Sequence, residues 1–367
     1  MKTKSTFATL ATGALLFGAC GGGTTSSTTS GDEYADAAPT SETMALDMDT
    51  SDTVDTQALG ANDCHPHLFQ RTREAIKMLN HHVLKVFARL DRFVDKRPDA
   101  TTTNSHTWVR TTNNLTYKAV LTKSGDQFTL EFDVKAATAA DTSFVQFASG
   151  TFTRIAGQTH AGNGTINLDL TALGTVVTNE KAKGQIAEIF EVNSLKKKIQ
   201  ITLTNFVPDS DKSAAPRNGN YVFARTKGAG GSFKFEKTMD LLCPANPTHQ
   251  LATVQIVARW AASANGRIGR TDALATGGQI TAGNKFIGVT CSSIDKADAS
   301  AEGYWMMKLE DSAGATVHGS DAADTSGAAA CDVSLFGPVP SVSSNSSDYD
   351  FSAVNFTDAS VVAYPGQ

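Results

Sequence analysis

The chain has 367 residues, a formal net charge of −5 and 40% hydrophobic residues. This length is sufficient for one large or two medium globular domains with buried cores, and the composition is not that of a fibrous protein. Because the chain has no basic excess, it lacks an overall field that would attract nucleic acid, and no nucleic-acid partner is expected.

The first twenty residues are predicted to form an export signal that ends in a cysteine. Lys2 and Lys4 precede an apolar stretch from Phe7 to Phe17 that is too short to span a bilayer, and small residues lead to Cys20. This arrangement resembles the lipobox of bacterial lipoproteins, although that family usually has Leu where this chain has Phe17. The resemblance implies a signal peptide over residues 1–19 and acylation of Cys20.

The same resemblance implies a location. A lipidated Cys20 makes a membrane the expected partner, and loss of Lys2 and Lys4 with the signal takes the net charge to about −7. Gly21 follows the cysteine. By the sorting rule of enteric lipoproteins, this favours the outer membrane, with the domain facing the periplasm or the cell surface.

The remaining cysteines are Cys64, Cys243, Cys291 and Cys331. An even number in an exported, oxidising compartment predicts two disulfides. Three pairings are possible. We favour Cys64 with Cys243 and Cys291 with Cys331, because each pair then joins residues within one half of the chain.

Residues 20–62 are predicted to be an acidic, disordered tether. From Gly21 to Asn62 the chain contains Gly, Thr, Ser, Asp, Glu and Ala in abundance and no Lys or Arg. Low hydrophobicity combined with charge of one sign disfavours a packed core. The segment is therefore expected to connect the lipid to a mobile domain.

A long amphipathic helix is predicted from Pro66 to Val94, at the start of a domain over residues 63–243. Pro98 is a stop signal beyond it. The apolar positions recur at alternating spacings of three and four, which is typical of a helix with one buried stripe. The stripe consists of Phe69, Thr72, Ile76, Leu79, Val83, Val86, Leu90 and Phe93.

From His106 onward the period changes to two, which predicts half-buried β-strands. Short spacings and glycine-rich turns favour antiparallel hairpins. The predicted fold is mainly β, an antiparallel curved sheet or partly open barrel with the long N-terminal helix packed on it. The motif Cys243-Pro-Ala-Asn-Pro247 marks a boundary before a second β-rich region, residues 244–337, packed on or continuous with the first. Residues 338–367 are expected to be a Ser-rich tail.

No enzyme motif is present: the chain contains no GxSxG, HExxH, Walker loop, CxxC or CxxCH sequence. We therefore expect a non-enzymatic protein without a cofactor. Histidines cluster around the helix, but His67 and His81 are separated by about 21 Å of helix, and His81 is expected to point away from His82. No metal site is predicted.

A basic face of the helix is the clearest candidate for a surface contact. Five cations are expected opposite the apolar stripe, where anionic lipid or the acidic tether could meet them. They are Arg71, Lys85, Arg89, Arg92 and Lys96. The alternative is an ordinary solvated helix face.

Four short motifs are similar to patches of uncharacterised myxobacterial envelope lipoproteins. They are Cys64–Phe69, Cys243–Pro247, Ala275–Gln279 and Tyr304–Asp311. The resemblance supports an envelope location and implies no reaction.

Two functions remain open. The first is a binding or structural role for a membrane-anchored lipoprotein, with an unknown protein or lipid partner. The second is a carrier of a lipid or other apolar ligand, which requires a cavity between sheet and helix. Its expected lining is Phe128, Leu130, Phe132, Ile201, Leu203, Phe233 and Phe235.

Overall fold

The computed structural model describes residues 32–48, 68–209, 216–239, 252–263, 266–278, 280–293, 302–323 and 333–336. Its fifteen strands form one antiparallel sheet in which each strand pairs with the next along the chain. The strands are β1 Ala100–Thr102, β2 Ser105–Thr112, β3 Leu115–Ser124, β4 Gln127–Ala136, β5 Val145–Arg154, β6 Gly162–Asp169, β7 Lys183–Val192, β8 Lys196–Val207, β9 Arg217–Thr226, β10 Gly230–Met239, β11 Ala252–Ser263, β12 Gly266–Thr276, β13 Lys285–Ser293, β14 Glu302–Glu310 and β15 Thr316–Ala323. The helices are α1 Glu33–Ala37, α2 Ser41–Met44, α3 Leu68–Val94, α4 Leu170–Val176 and α5 Val333–Phe336.

The sheet is open, since β1 and β15 each pair with a single neighbour among the described strands. The prediction of a mainly antiparallel β fold with a long helix packed on it is confirmed. The expected boundary at residues 243–247 does not divide the sheet. Strand β10 precedes the boundary, β11 follows it, and the two strands form ten residue pairs with each other.

Helix α3 crosses the face of the sheet that we call the inner face. Leu68, at its start, packs against Gly288 of β13, and Phe93, near its end, contacts Phe132 of β4 with ring centroids 5.7 Å apart. All eight positions of the predicted stripe are buried. A 27-residue helix is about 40 Å long, whereas β2 to β13 would span about 53 Å in a flat sheet. The helix contacts both strands, so the sheet curves around it.

Side chains along each strand alternate between the inner and the outer face of the sheet, and the inward ones build the core. Inward side chains from β2 to β12 form a single hydrophobic cluster with α3. The outer face of β13 and β14 has a second, smaller cluster of Ile287, Val289, Cys291 and Met306. An ion pair is buried on the same face, where Lys308 and Glu310 approach to 2.7 Å.

The expectation of a disordered tether is wrong for residues 32–48, which we call the docked segment. This part of the chain forms α1 and α2 and is packed on the domain. Its apolar side chains are buried, and they belong to the same cluster as α3. They are Tyr34, Met44, Leu46 and Met48. The mean composition of residues 20–62 is acidic and polar, so these four apolar residues do not stand out in it.

Polar contacts fix the docked segment to α3. The side-chain amide of Asn80 donates to the carbonyl of Leu46 at 2.7 Å and accepts its N–H at 2.9 Å. Asp91 accepts both the N–H and the hydroxyl of Ser41, at 3.0 and 2.5 Å. These bonds satisfy polar groups that burial would otherwise leave unpaired.

The acids of the docked segment pair with cations of the sheet. Glu33 pairs with Lys123 of β3, and Asp47 pairs with both Lys197 of β8 and Arg225 of β9. The acidic segment therefore pairs with basic groups, but these lie on the strands instead of on the predicted basic face of the helix.

Candidate functional site

A pocket of about 220 Å³ lies between the N-terminal half of α3 and the inner face of β8, β9 and β10. It is located where a carrier was expected to hold its ligand, between helix and sheet. Its lining residues are Glu74, Ala75, Met78, Leu203, Phe206, Pro208, Arg217, Asn218, Tyr221 and Lys237.

The apolar wall of the pocket is held by the packing of the core. Tyr221 is buried, and its ring stacks on Phe235 at 5.7 Å and on Phe233 at 6.1 Å. Burial raises the pKa of Tyr221 to about 12, so the phenol stays neutral at physiological pH. A side chain at position 219 would collide with the ring of Tyr221, and Gly219 avoids this clash.

The polar wall of the pocket has an excess of positive charge. Lys237 lies on the inner face, opposite Val254 of β11, and Arg217 is exposed nearby. Burial lowers the pKa of Lys237, and Arg71 and Arg217 lower it further while Glu74 opposes them. The carboxylate of Glu74 already binds the guanidinium of Arg71, at 3.2 Å. An anion in the pocket would therefore relieve the cost of the charge on Lys237.

Six of the seven residues predicted to line a cavity are packed in the core instead. Phe128, Leu130, Phe132, Ile201, Phe233 and Phe235 are almost completely buried in the cluster that includes α3. The prediction is wrong for these six because α3 and the docked segment cover that part of the inner face: Phe128, for example, contacts Tyr34 edge to face at 5.7 Å. Leu203 is the one predicted residue that lines the pocket.

Lys237 and Arg217 were not among the predicted site residues. A signal for Lys237 was present, since a period of two from Phe233 and Phe235 places residue 237 on the same inner face. No local signal marks Arg217, whose position near Lys237 depends on the pairing of β9 with β10.

The predicted basic face of α3 is not one free cationic strip. Arg71 binds Glu74, while Lys85 binds Glu180 at 2.8 Å. Arg89 is half-buried, with its guanidinium 5.9 Å from the ring centre of Tyr117. The remaining two cations, Arg92 and Lys96, are exposed near the C-terminal end of the helix.

Histidines that were expected to point apart come together. The rings of His81 and His82 lie 5.0 Å apart, edge to face, and both approach Asp209, which follows β8. The expectation of diverging side chains is wrong because the rings turn toward the same carboxylate, which is 128 residues away along the chain.

The lipidation site and most of the cysteines lie outside the described residues. These are Cys20, Cys64, Cys243 and Cys331. Cys291 is completely buried in β13 and is disulfide-bonded. The two favoured pairings remain a prediction.

In the part of the chain that the structure describes, no helix has the length and apolar character needed to cross a membrane. The chain matches no protein-family model, and neither a curated protein nor a solved structure is significantly similar to it.

Proposed function

We propose that this protein is a membrane-anchored envelope lipoprotein that binds a small anionic amphiphile in the pocket between α3 and the sheet. The observation that supports the proposal is the half-buried Lys237, an inward-facing cation on the polar wall of the pocket, with an apolar wall beside it. A ligand with a short apolar chain and a carboxylate or similar head would match both walls. The role is binding without catalysis.

The volume of the pocket limits the ligand. Typical ligand pockets measure roughly 300–1,000 Å³, and this one, at about 220 Å³, is smaller. A medium-chain carboxylate fits this size better than a diacyl lipid does. The proposal therefore narrows the carrier hypothesis from lipids in general to small amphiphiles.

Titration calorimetry with decanoate tests the proposal. Lys237→Met preserves most of the side-chain length and removes the charge, so affinity should fall by about 10- to 100-fold, the effect of losing a charge-assisted contact. Lys77→Met, which removes an exposed cation from the same helix as the pocket wall, is the matched control and should bind like the wild type.

The stability of the ligand-free variants completes the test. Because burial disfavours the charged form of Lys237, Lys237→Met should unfold at the same urea concentration as the wild type or a higher one. Weaker binding together with undiminished stability indicates a binding residue. Unchanged decanoate affinity in Lys237→Met, or no binding by the wild type, would contradict the proposal.

The anchor and the location are part of the same proposal. They are supported by the lipobox resemblance around Cys20, and the domain is then held at the outer membrane, facing the periplasm or the cell surface.

A further inference from the structure

Three possible metal ligands converge beside the middle of α3. One nitrogen from each of His81 and His82 and one carboxylate oxygen of Asp209 all lie within 4.8 Å of one another. Nε2 of His81 lies 3.6 Å from Oδ2 of Asp209.

Asp209 is fixed in place by the backbone. Its Oδ1 accepts the N–H groups of Lys181 and Ala182, at 3.2 and 2.5 Å. This leaves Oδ2 directed toward His81 and Lys85. Although burial opposes ionisation, Lys85 and the N–H of Ala182 hold the pKa of Asp209 below its usual value. The group is therefore a carboxylate at neutral pH, the form that binds metal.

His82 is a buried imidazole. It is 5% exposed and packs edge to face on Phe206 at 5.0 Å, and no hydrogen bond joins its nitrogens to a described residue. Burial lowers its pKa to about 4, so the ring is neutral and retains a lone pair. His81 has an exposed side chain, which leaves it free to rotate.

Lys85 forms an ion pair with Asp209 of the cluster, and it has a second acid as a partner. Its ammonium lies 2.8 Å from Glu180 and 3.5 Å from Asp209. If Oδ2 of Asp209 bound a metal, Lys85 would still keep the shorter of its two ion pairs. The cluster can therefore accept a cation without leaving Lys85 unpaired.

We propose that His81, His82 and Asp209 form a binding site for a divalent ion of the zinc type. Two imidazoles and one carboxylate are a three-ligand set that leaves one tetrahedral position for water. Metal–ligand bonds of about 2.0–2.2 Å place such ligand atoms about 3.3 Å apart. The present spacing has to contract, and the exposed His81 supplies the movement.

The site lies beside the pocket but does not depend on a ligand there. Phe206 and Pro208 line the pocket, His82 packs on Phe206, and Asp209 follows Pro208. A bound ion would join α3 directly to the end of β8. Metal binding and decanoate binding can be measured separately, so failure of one leaves the other intact.

The experiment uses the full chain with Zn²⁺ and Co²⁺ as probes. After dialysis, the wild type should retain one equivalent of zinc, and His81→Ala should retain none. The zinc affinity of His81→Ala should be lower by more than about 100-fold, because loss of a residue that only supports a ligand costs about 10- to 100-fold. His318→Ala, another exposed histidine, is the matched control and should retain the ion. Asp209→Asn should lose the ion as well, while its amide oxygen can still accept the two N–H groups.

The cysteines are a possible competing site, and cobalt distinguishes them. Binding through imidazole and carboxylate gives visible cobalt bands without the near-ultraviolet charge-transfer band of a cobalt thiolate. Zinc retained equally by His81→Ala, a thiolate band in the wild type, or no retained zinc would each overturn the proposal.

Discussion

Glu188 is the most unusual single residue of the core. It lies on the inner face of β7, is 1% exposed, and pairs across the ladder with Ile166 and Ile201. Neither carboxyl oxygen has a hydrogen-bond partner among the described residues. Burial raises the pKa of Glu188 to about 8, which makes it a neutral acid at physiological pH.

This shift predicts a specific dependence of stability on pH. The unfolded chain releases the proton near pH 4.5, whereas the folded protein keeps it up to about pH 8. The wild type should therefore lose stability as the pH rises between these values, by up to about 1.4 kcal/mol per pH unit. The side chain in Glu188→Gln is neutral at every pH, so this variant avoids the loss. The unfolding free energy of Glu188→Gln minus that of the wild type should therefore increase by on the order of 3 kcal/mol between pH 5 and pH 8.

Urea unfolding at a series of pH values measures this difference. Glu131→Gln, which changes an exposed carboxyl on the outer face of β4, is the control and should run parallel to the wild type. A parallel profile for Glu188→Gln would show that the carboxyl of Glu188 ionises normally in the folded state.

Among the elements, the docked segment departs most from the sequence-based expectation. Its mean composition is that of a disordered tether, and the apolar side chains that dock it are too few to form a core alone. They become buried only because α3 and the sheet provide a surface. Helix α2 packs on α3, and the N–H of Leu46 donates to the side chain of Asn80 in that helix.

Asn80→Ala should release the C-terminal part of the docked segment. The substitution leaves the N–H and the carbonyl of Leu46 without their partner, at a cost of about 1–3 kcal/mol. Hydrogen exchange should become faster in residues 41–48 and stay unchanged in the strands. Lys77→Ala, at an exposed position of the same helix, should leave both regions unchanged, and an unaltered exchange pattern in Asn80→Ala would contradict this account of docking.

For the complete chain, docking shortens the length of chain between the domain and the lipid proposed at Cys20. A free chain of about 42 residues could extend about 150 Å, but only eleven residues lie between Cys20 and Asp32, where the docked segment begins. The twelve Cα–Cα steps from Cys20 to Asp32 span at most about 43 Å. If Cys20 is lipidated as proposed, the domain stays near the membrane surface.

Neutron reflectometry of the lipidated protein on a supported bilayer measures this height. Deleting residues 50–60 should leave it unchanged, because they follow the docked segment and the remaining chain can still cover the roughly 18 Å of helix between Leu68 and Asn80. Deleting residues 23–30 should lower the domain. A lower domain after the first deletion would show that the docked segment does not hold, and attachment of Cys20→Ser to the bilayer would contradict the lipid anchor.

Features that depend on local geometry could be predicted from the chain alone. The spacing of three and four from Phe69 to Phe93 is sufficient to predict α3 and its buried stripe, and a period of two is sufficient to predict the alternation of β4 around Phe128 and Phe132. These patterns follow from the backbone periods of helix and strand, so neighbouring residues contain the whole signal.

Tertiary packing sets which groups meet across long separations along the chain. It placed Lys237 and Arg217 beside Met78, brought Asp209 to His81, and filled the expected cavity at Phe132 with α3. Such contacts depend on strand order, on the curvature of the sheet and on the segments that cover its inner face. None of these features produces a periodic pattern in the amino-acid sequence. For that reason the predicted fold is confirmed while most of the candidate site had to be found in the structure.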